Sequence, residues 1–222
     1  MEQLFKNILP PGIASVETRK HLKWTALLPE ELPAVRRACS KRRAEFISGR
    51  ACAREALSQI GFEGIPIPKG INGVPIWPCQ VIGSITHCSG FRAVAVTRKQ
   101  VFQSLGIDVE VNEPLPPDVI GAIASRPERI QSNLLQLGTT SVAFDRLLFS
   151  AKESAFKCFV GAGIEVADFA SIRVRLGPNL FAAGTGAGEL SHRANGYWLA
   201  RHGFICSAAT ICIGAENPEL KF

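Results

Sequence analysis

The residues with the most chemical promise in this chain are carboxylates and cations set at regular intervals. In Leu105-Gly106-Ile107-Asp108-Val109-Glu110-Val111 the apolar residues alternate strictly, which is the period of a half-buried strand. Leu105, Ile107, Val109 and Val111 then share one face, and Asp108 and Glu110 share the other. Carboxylates at i and i+2 have Cα atoms about 6.5–7 Å apart, so their side chains can converge on one small hard cation. Aimed inward without a cation, they would repel each other. The plain alternative is a solvated strand face.

A second cluster lies in Phe149-Ser150-Ala151-Lys152-Glu153-Ser154-Ala155-Phe156-Lys157. Glu153 and Lys157 stand at i and i+4, a spacing that in a surface helix makes an ion pair of about 0.3–0.5 kcal/mol. With Lys152 beside them, two lysines flank a carboxylate among small residues. Such a cluster can hold a metal and neutralise phosphate oxygens together. His87 closes the run Gly83-Ser84-Ile85-Thr86-His87. It is either a satisfied structural histidine or, with hydroxyls nearby, a hydrogen-bond partner for a phosphate monoester.

The formal net charge is +6 over 222 residues. Its distribution says more than its sum. Between Arg36 and Arg54 stand seven cations (Arg36, Arg37, Lys41, Arg42, Arg43, Arg50, Arg54) against Glu45 alone, so this window carries the whole excess. A compact basic segment on an otherwise balanced chain points to a local anionic partner: a phosphorylated ligand, an acidic protein face or nucleic acid. A solvated helix face is the alternative.

These residues need elements to hold them. Phe46, Ile47, Ala53, Leu57 and Ile60 recur at helical spacing from Ser40 to Ile60, with Gly61 as a stop. Gly64 to Pro78 is too rich in Pro and Gly for helix and is expected as an extended loop carrying Lys69 and Trp77 outward. Val81 to Thr86 and Arg92 to Thr97, divided by Ser89-Gly90, form an expected hairpin. A short helix is expected near Asp118 to Ser125. Phe144, Leu148, Ala151, Ala155 and Phe159 predict a longer one within Thr140 to Val160, ending at Gly161. From Asp168 to Ala215, four or five strands with Gly-rich turns follow.

The 46% apolar composition can bury a sizeable core. No stretch reaches the roughly 18 consecutive apolar residues of a membrane span, and Met1 to Pro10 lacks the order of a signal peptide. The chain is therefore expected in the cytoplasm. Its seven cysteines are scattered without zinc-site spacing, as reduced thiols would be. His21, His192 and His202 show no pairing by spacing.

In order, the blocks Lys41 to Ile47 with Gly49 to Arg54, Gly73 to Pro78, Gly83 to Cys88, Gly106 to Glu110 and Phe149 to Lys157 resemble the Sfp-type 4'-phosphopantetheinyl transferases. The likeness is greatest to the bacterial branch that includes the enterobactin-pathway enzyme and the mycobacterial type II enzyme. It implies an α+β, sandwich-like fold of two similar, pseudo-twofold-related subdomains, here residues 1–104 and 105–222, with the site between them. The resemblance further implies a magnesium ion, with manganese as a substitute, held by Asp108, Glu110 and Glu153. Glu153 would be general base and Lys157 would contact phosphate and assist the leaving group. Arg42, Arg50, Lys69 and His87 would hold coenzyme A phosphates, with Thr86 and Lys152 beside them. Implied partners are coenzyme A and apo acyl or peptidyl carrier proteins, with a monomeric enzyme and no nucleic acid. Phe149 departs from the tryptophan of many members and Phe156 from the tyrosine of some; both read as packing changes.

Two other classes use some of the same residues. A two-metal nuclease or phosphatase can use Asp108, Glu110 and Glu153, although further ligands do not stand out. A nucleotide- or nucleic-acid-binding module can be built on the Arg36 to Arg54 helix, but it gives no reason for the carboxylate pair.

Overall fold

Two rounds of helix and strand in the sequence become two sheets, each covered by one long helix. In the computed structural model, which describes residues 3–20, 27–186 and 192–214, the first sheet is antiparallel with strand order β1-β3-β2. It comprises β1 (Ala14–Thr18), β2 (Val81–Cys88) and β3 (Phe91–Arg98), under α1 (Ser40–Ser58). The second has order β4-β8-β7-β6-β5 and comprises β4 (Phe102–Val111), β5 (Arg173–Gly177), β6 (Leu180–Thr185), β7 (His192–Arg201) and β8 (Phe204–Cys212). It packs under α4 (Phe144–Gly161), with α2 (Pro117–Ile123) and α3 (Arg126–Gly138) alongside. His21 and Ala215 lie outside the described residues.

Three clusters stack these elements in the order helix, sheet, sheet, helix. Cys52, Ala53, Ala56 and Leu57 of α1 meet Val94 and Val96 on one face of β3. Phe91, Ala93 and Ala95, on the other face of β3, meet Leu105, Ile107 and Val109 of β4. Leu147, Leu148, Ala151 and Phe159 of α4 bury themselves against the second sheet. Because the apolar face of β4 is spent between the sheets, Asp108 and Glu110 are turned toward α4, as a period of two requires.

One edge of β4 pairs with β8. Its other edge is closed by hydroxyls of β2: Ile107 N donates to Ser84 Oγ at 3.1 Å and Val109 N to Thr86 Oγ1 at 3.2 Å. Buried backbone donors need partners, and this pair of hydroxyls at i and i+2 supplies them across the seam between the two sheets.

Gly106 decides how close α4 can come. A Cβ there would collide with the Ser154 carbonyl oxygen and stand 2.7 Å from Cys158 N and 3.1 Å from Lys157 Cβ. Glu153 and Lys157 are therefore carried over Asp108 by an approach that only glycine permits. Gly106→Ala is expected to destabilise the protein by about 1–3 kcal/mol or more through overpacking. Urea unfolding checks this, and an unchanged midpoint would mean that α4 has room to shift.

Two expectations are corrected. Trp77 does not point outward: it packs against the cluster under α1, and its ring lies where a Cβ on Gly83 would meet it at 2.7 Å. The segment 64–78 also contains a 3-10 turn, Ile71–Gly73, and a bridge between Lys69 and Pro75. Strand β1 and helix α3 were not expected, although Ser125, Pro127 and Glu128 form a capping signal that announces α3. Among the described residues no helix is long and apolar enough to cross a membrane.

Candidate active site

The seam between the sheets brings together residues far apart in sequence. Asp108 is only 4% exposed. Its Oδ1 accepts from Thr86 Oγ1 at 3.1 Å and from Lys157 Nζ at 2.7 Å, while its buried Oδ2 has no hydrogen-bond partner. Lys157 Nζ also donates to the Ile107 carbonyl at 3.2 Å and lies 3.8 Å from Glu153 Oε2. Glu110 is held by Arg146, whose Nη1 donates to Oε2 at 3.0 Å; Arg146 is anchored in turn on the Glu113 and Pro114 carbonyls. Sequence reasoning missed Arg146, which lies 36 residues from its partner.

The electrostatics are those of carboxylates held against their preference. Burial pushes the Glu110 carboxyl up to about 7, with Asp108 adding to the rise and Arg146 and Lys157 opposing it. Burial also raises Glu153; Lys157 pulls it back and Asp108 raises it further. The nearby Cys88 thiol is pushed up to about 12 by burial first and then by Glu110 and Asp108. Among the described residues no three His, Cys, Asp or Glu side chains are gathered closely enough to hold a metal ion. Lys157 and Arg146 instead occupy the carboxylates. The orphaned Asp108 Oδ2 and the raised Glu110 and Glu153 are nevertheless the hard oxygen donors that a small divalent cation takes.

Linkage gives these values a consequence. The folded protein binds the Glu110 proton more tightly than the unfolded chain, whose carboxyl has its ordinary value of 4.5. The resulting loss of stability is absent below pH 4.5, grows between 4.5 and 7, and is complete above 7. Glu110→Gln is therefore expected to stabilise the metal-free protein at pH 8, by on the order of 2 kcal/mol once the shift is discounted for the partial exposure of the side chain. Urea titrations in a chelator should show that gain shrinking toward pH 5. A loss of stability at pH 8 would mean that the pair with Arg146 outweighs burial.

On the other side of the seam, Arg42 Nη1 lies 3.0 Å from His87 Nε2, and Glu45 lies 3.7 Å from Arg42 and 3.9 Å from His87. Burial lowers the His87 pKa; Glu45 raises it, and Arg42 and Lys157 lower it further. Lys69 is exposed on its loop. A cleft of about 450 Å³ runs between that loop and α4, with Trp77, Gly83, Ser84, Ser104, Phe156 and Lys157 on its walls.

The basic window is less free than its charge suggests. Arg54 is bound at 2.7 Å to Glu31, a fully buried carboxylate that also accepts from Leu28 N and Ile67 N. Arg50 is buried, donating through Nε to the Ile67 carbonyl at 2.6 Å and lying over the Phe46 ring. Its pKa is lowered to about 10 by burial.

Lys152 and Thr86 need correction as ligand-binding residues. Lys152 is 0% exposed, and its ammonium donates to Ile123 O at 2.7 Å, Ile172 O at 2.6 Å and Glu128 at 3.2 Å. All three of its donors are committed. The hydroxyl of Thr86 is likewise used by Asp108 and Val109, so it positions the carboxylate and leaves no donor for a phosphate.

A lysine that borders a cleft and is paired with Asp108 and Glu153 behind it, with an arginine–histidine pair across the seam, is an arrangement suited to group transfer on phosphate esters. Comparison with known proteins specifies the class. The 4'-phosphopantetheinyl transferase N-terminal domain matches residues 29–97, and the 4'-phosphopantetheinyl transferase superfamily matches residues 104–206. The chain is 40% identical over 156 residues to the 4'-phosphopantetheinyl transferase Npt of Nocardia iowensis, covering 70% of this chain and 69% of that one. It is 39% identical over 205 residues to the 4'-phosphopantetheinyl transferase Svp of Streptomyces mobaraensis, covering 87% and 82%. With enterobactin synthase component D of Escherichia coli it shares 34% over 126 residues, covering 53% and 54%. The chain belongs to the 4'-phosphopantetheinyl transferase family. It is a transferase whose family uses coenzyme A as substrate and modifies carrier proteins.

Proposed function

We propose that this enzyme moves 4'-phosphopantetheine from coenzyme A to a serine of apo acyl or peptidyl carrier proteins, giving holo-carrier and 3',5'-ADP. Siderophore, nonribosomal peptide and polyketide assembly are among the pathways that use such carriers, and relatives named for enterobactin synthesis support that setting. The observation that carries the site is the orphaned Asp108 Oδ2 beside Glu110, Glu153 and Lys157 at the seam.

Asp108, Glu110 and Glu153, not gathered into a ligand cluster in this structure, would converge on magnesium, or on manganese in its place. The metal would supply neutralising charge to the pyrophosphate. Glu153 takes the proton of the attacking serine as its Oγ bonds to the β-phosphorus. The bond from that phosphorus to the bridging oxygen breaks, and Lys157 stabilises the departing oxygen of 3',5'-ADP. Arg42 and His87, with Lys69 from its loop and Arg50 through whatever part of its guanidinium Ile67 does not use, hold the coenzyme A phosphates. The halves 1–104 and 105–222 thus contribute the phosphate grip and the reacting carboxylates respectively. A site built within one chain fits a monomer working in the cytoplasm.

Incubation with coenzyme A, magnesium and a panel of apo acyl and peptidyl carriers, followed by mass spectrometry, tests the reading. A phosphopantetheine mass gain is expected on at least one carrier. Its absence across the panel would sink the proposal.

A further inference from the structure

The loop that carries Lys69 is pinned to the fold at one residue, Ile67. Its side chain is fully buried in the cluster under α1 with Ala53, Leu57 and Val96. Both of its backbone groups are taken by charged side chains: the amide donates to Glu31 Oε1 at 3.0 Å, and the carbonyl accepts from Arg50 Nε at 2.6 Å. Buried backbone groups need partners, and here no strand supplies them.

Beyond Ile67 the chain closes on itself. Ile76 N donates to the Pro68 carbonyl at 3.0 Å, Gly70 N donates to the Val74 carbonyl at 2.8 Å, and an antiparallel bridge joins Lys69 to Pro75. Residues 68–76 are thus a small hairpin with Lys69 exposed, and Gly73, Val74 and Pro75 form part of the cleft wall. A hairpin of this size has little stability of its own. Where Lys69 stands is therefore decided at Ile67.

The hold on Ile67 is a buried node of three charges. Glu31, from the 3-10 turn Pro29–Val35, is 0% exposed, and a glutamate is almost never buried so completely unless it is paired. Arg54 Nη1 donates to its two oxygens at 2.7 and 2.8 Å. Arg50 and Arg54 stand at i and i+4 on α1, where like charges repel. Burial lowers the Arg50 pKa to about 10, and the Glu31 charge opposes that fall. Such a node adds little stability over apolar packing of the same volume. What it does fix is geometry: Arg42 rides on the same helix, so the node sets the Lys69 hairpin relative to Arg42.

We infer that Glu31, with Arg54, is a positioning residue for coenzyme A, holding hairpin 68–76 so that Lys69 is in place before the ligand arrives. This rests on the transfer reading above, in which Lys69 and Arg42 grip the phosphates. A cation fixed in advance lowers the cost of ordering the loop on binding. Loss of the node therefore weakens binding and leaves the chemical step alone.

The test is a double-mutant cycle on coenzyme A affinity, read by isothermal titration on the wild type, Glu31→Gln, Lys69→Ala and the double variant. Each single substitution is expected to weaken binding about tenfold, and the double variant no more than about twofold beyond the weaker single. The coenzyme A KM should rise in step while kcat on a carrier that the wild type modifies stays unchanged. Hydrogen exchange at the amides of Ile67, Gly70 and Ile76 should quicken in Glu31→Gln while that of Val94 in β3 stays slow. Arg54→Lys keeps the charge and loses part of the contact; it is expected to weaken binding less and to show the same non-additivity with Lys69→Ala. It carries the cycle if Glu31→Gln does not fold. Losses that multiply in the double variant overturn the positioning role, as does wild-type affinity in folded Glu31→Gln or in Lys69→Ala. A wild-type protein that binds no coenzyme A and modifies no carrier removes the transfer reading itself and this inference with it.

Discussion

Glu153→Gln is expected to reduce kcat by about a thousandfold while coenzyme A still binds, the middle of the range for loss of a positioned general base. The substitution keeps the size of the side chain and one oxygen that can face Lys157. It removes the charge that accepts the serine proton. Burial raises the Glu153 carboxyl above its ordinary value, with Lys157 opposing and Asp108 adding to the rise. The base is therefore matched more closely to neutral pH than a free glutamate would be, and the wild-type rate should climb with pH through that raised value as the carboxyl loses its proton. Isothermal titration with coenzyme A and single-turnover transfer separate the two steps. If binding and transfer disappear together, Glu153 shapes the site and does not carry the proton.

Lys152→Ala should have its effect on stability. The residue is fully buried, and its removal leaves the carbonyls of Ile123 and Ile172 and one side of the Glu128 carboxylate without their donor. Breaking a buried pair by deleting one partner costs about 3–5 kcal/mol. The loss should be felt first where Lys152 ties α3 and the start of β5 to α4. Denaturant unfolding is expected to shift by that amount. The folded fraction should retain coenzyme A affinity within about twofold, a difference of only ~0.4 kcal/mol. A normal unfolding midpoint with tenfold weaker coenzyme A binding would return Lys152 to the ligand site.

The same residue illustrates how far a linear reading reaches. Lys152 and Lys157 look equivalent in the run from Phe149 to Lys157, both flanking Glu153 on one helix. On α4 they differ by more than a turn, and so they meet different neighbours. Lys157 faces Asp108, 49 residues away, and Lys152 faces Glu128, 24 residues away. The one local difference is helical phase, which sets Lys152 beside the apolar stripe of Leu148 and Phe159 and Lys157 on the opposite side. Arg54 and Arg50 belong to the same lesson, since the partner of Arg54 is a buried glutamate 23 residues earlier, outside the basic window. Ser84 and Thr86 were legible as a pair of hydroxyls but not as the groups that close the edge of β4. The capping signal at Ser125, Pro127 and Glu128 was present for α3 and could have been used.

The sequence by itself determined the helix from Ser40, the hairpin of β2 and β3, the long helix α4 and the strand that sets Asp108 and Glu110 on one face. Those features depend on periods of two and of about 3.6, which are local and survive in a single chain read from end to end. The ordered blocks likewise led to the transferase family. Only the tertiary structure decided which charges are spent in the interior, that Arg146 holds Glu110, and that Ile130, Leu134 and Leu137 of α3 stay exposed. Each of these depends on a partner brought near by packing of two sheets and two helices, and burial converts a charge from a solvated group into one that must find that partner.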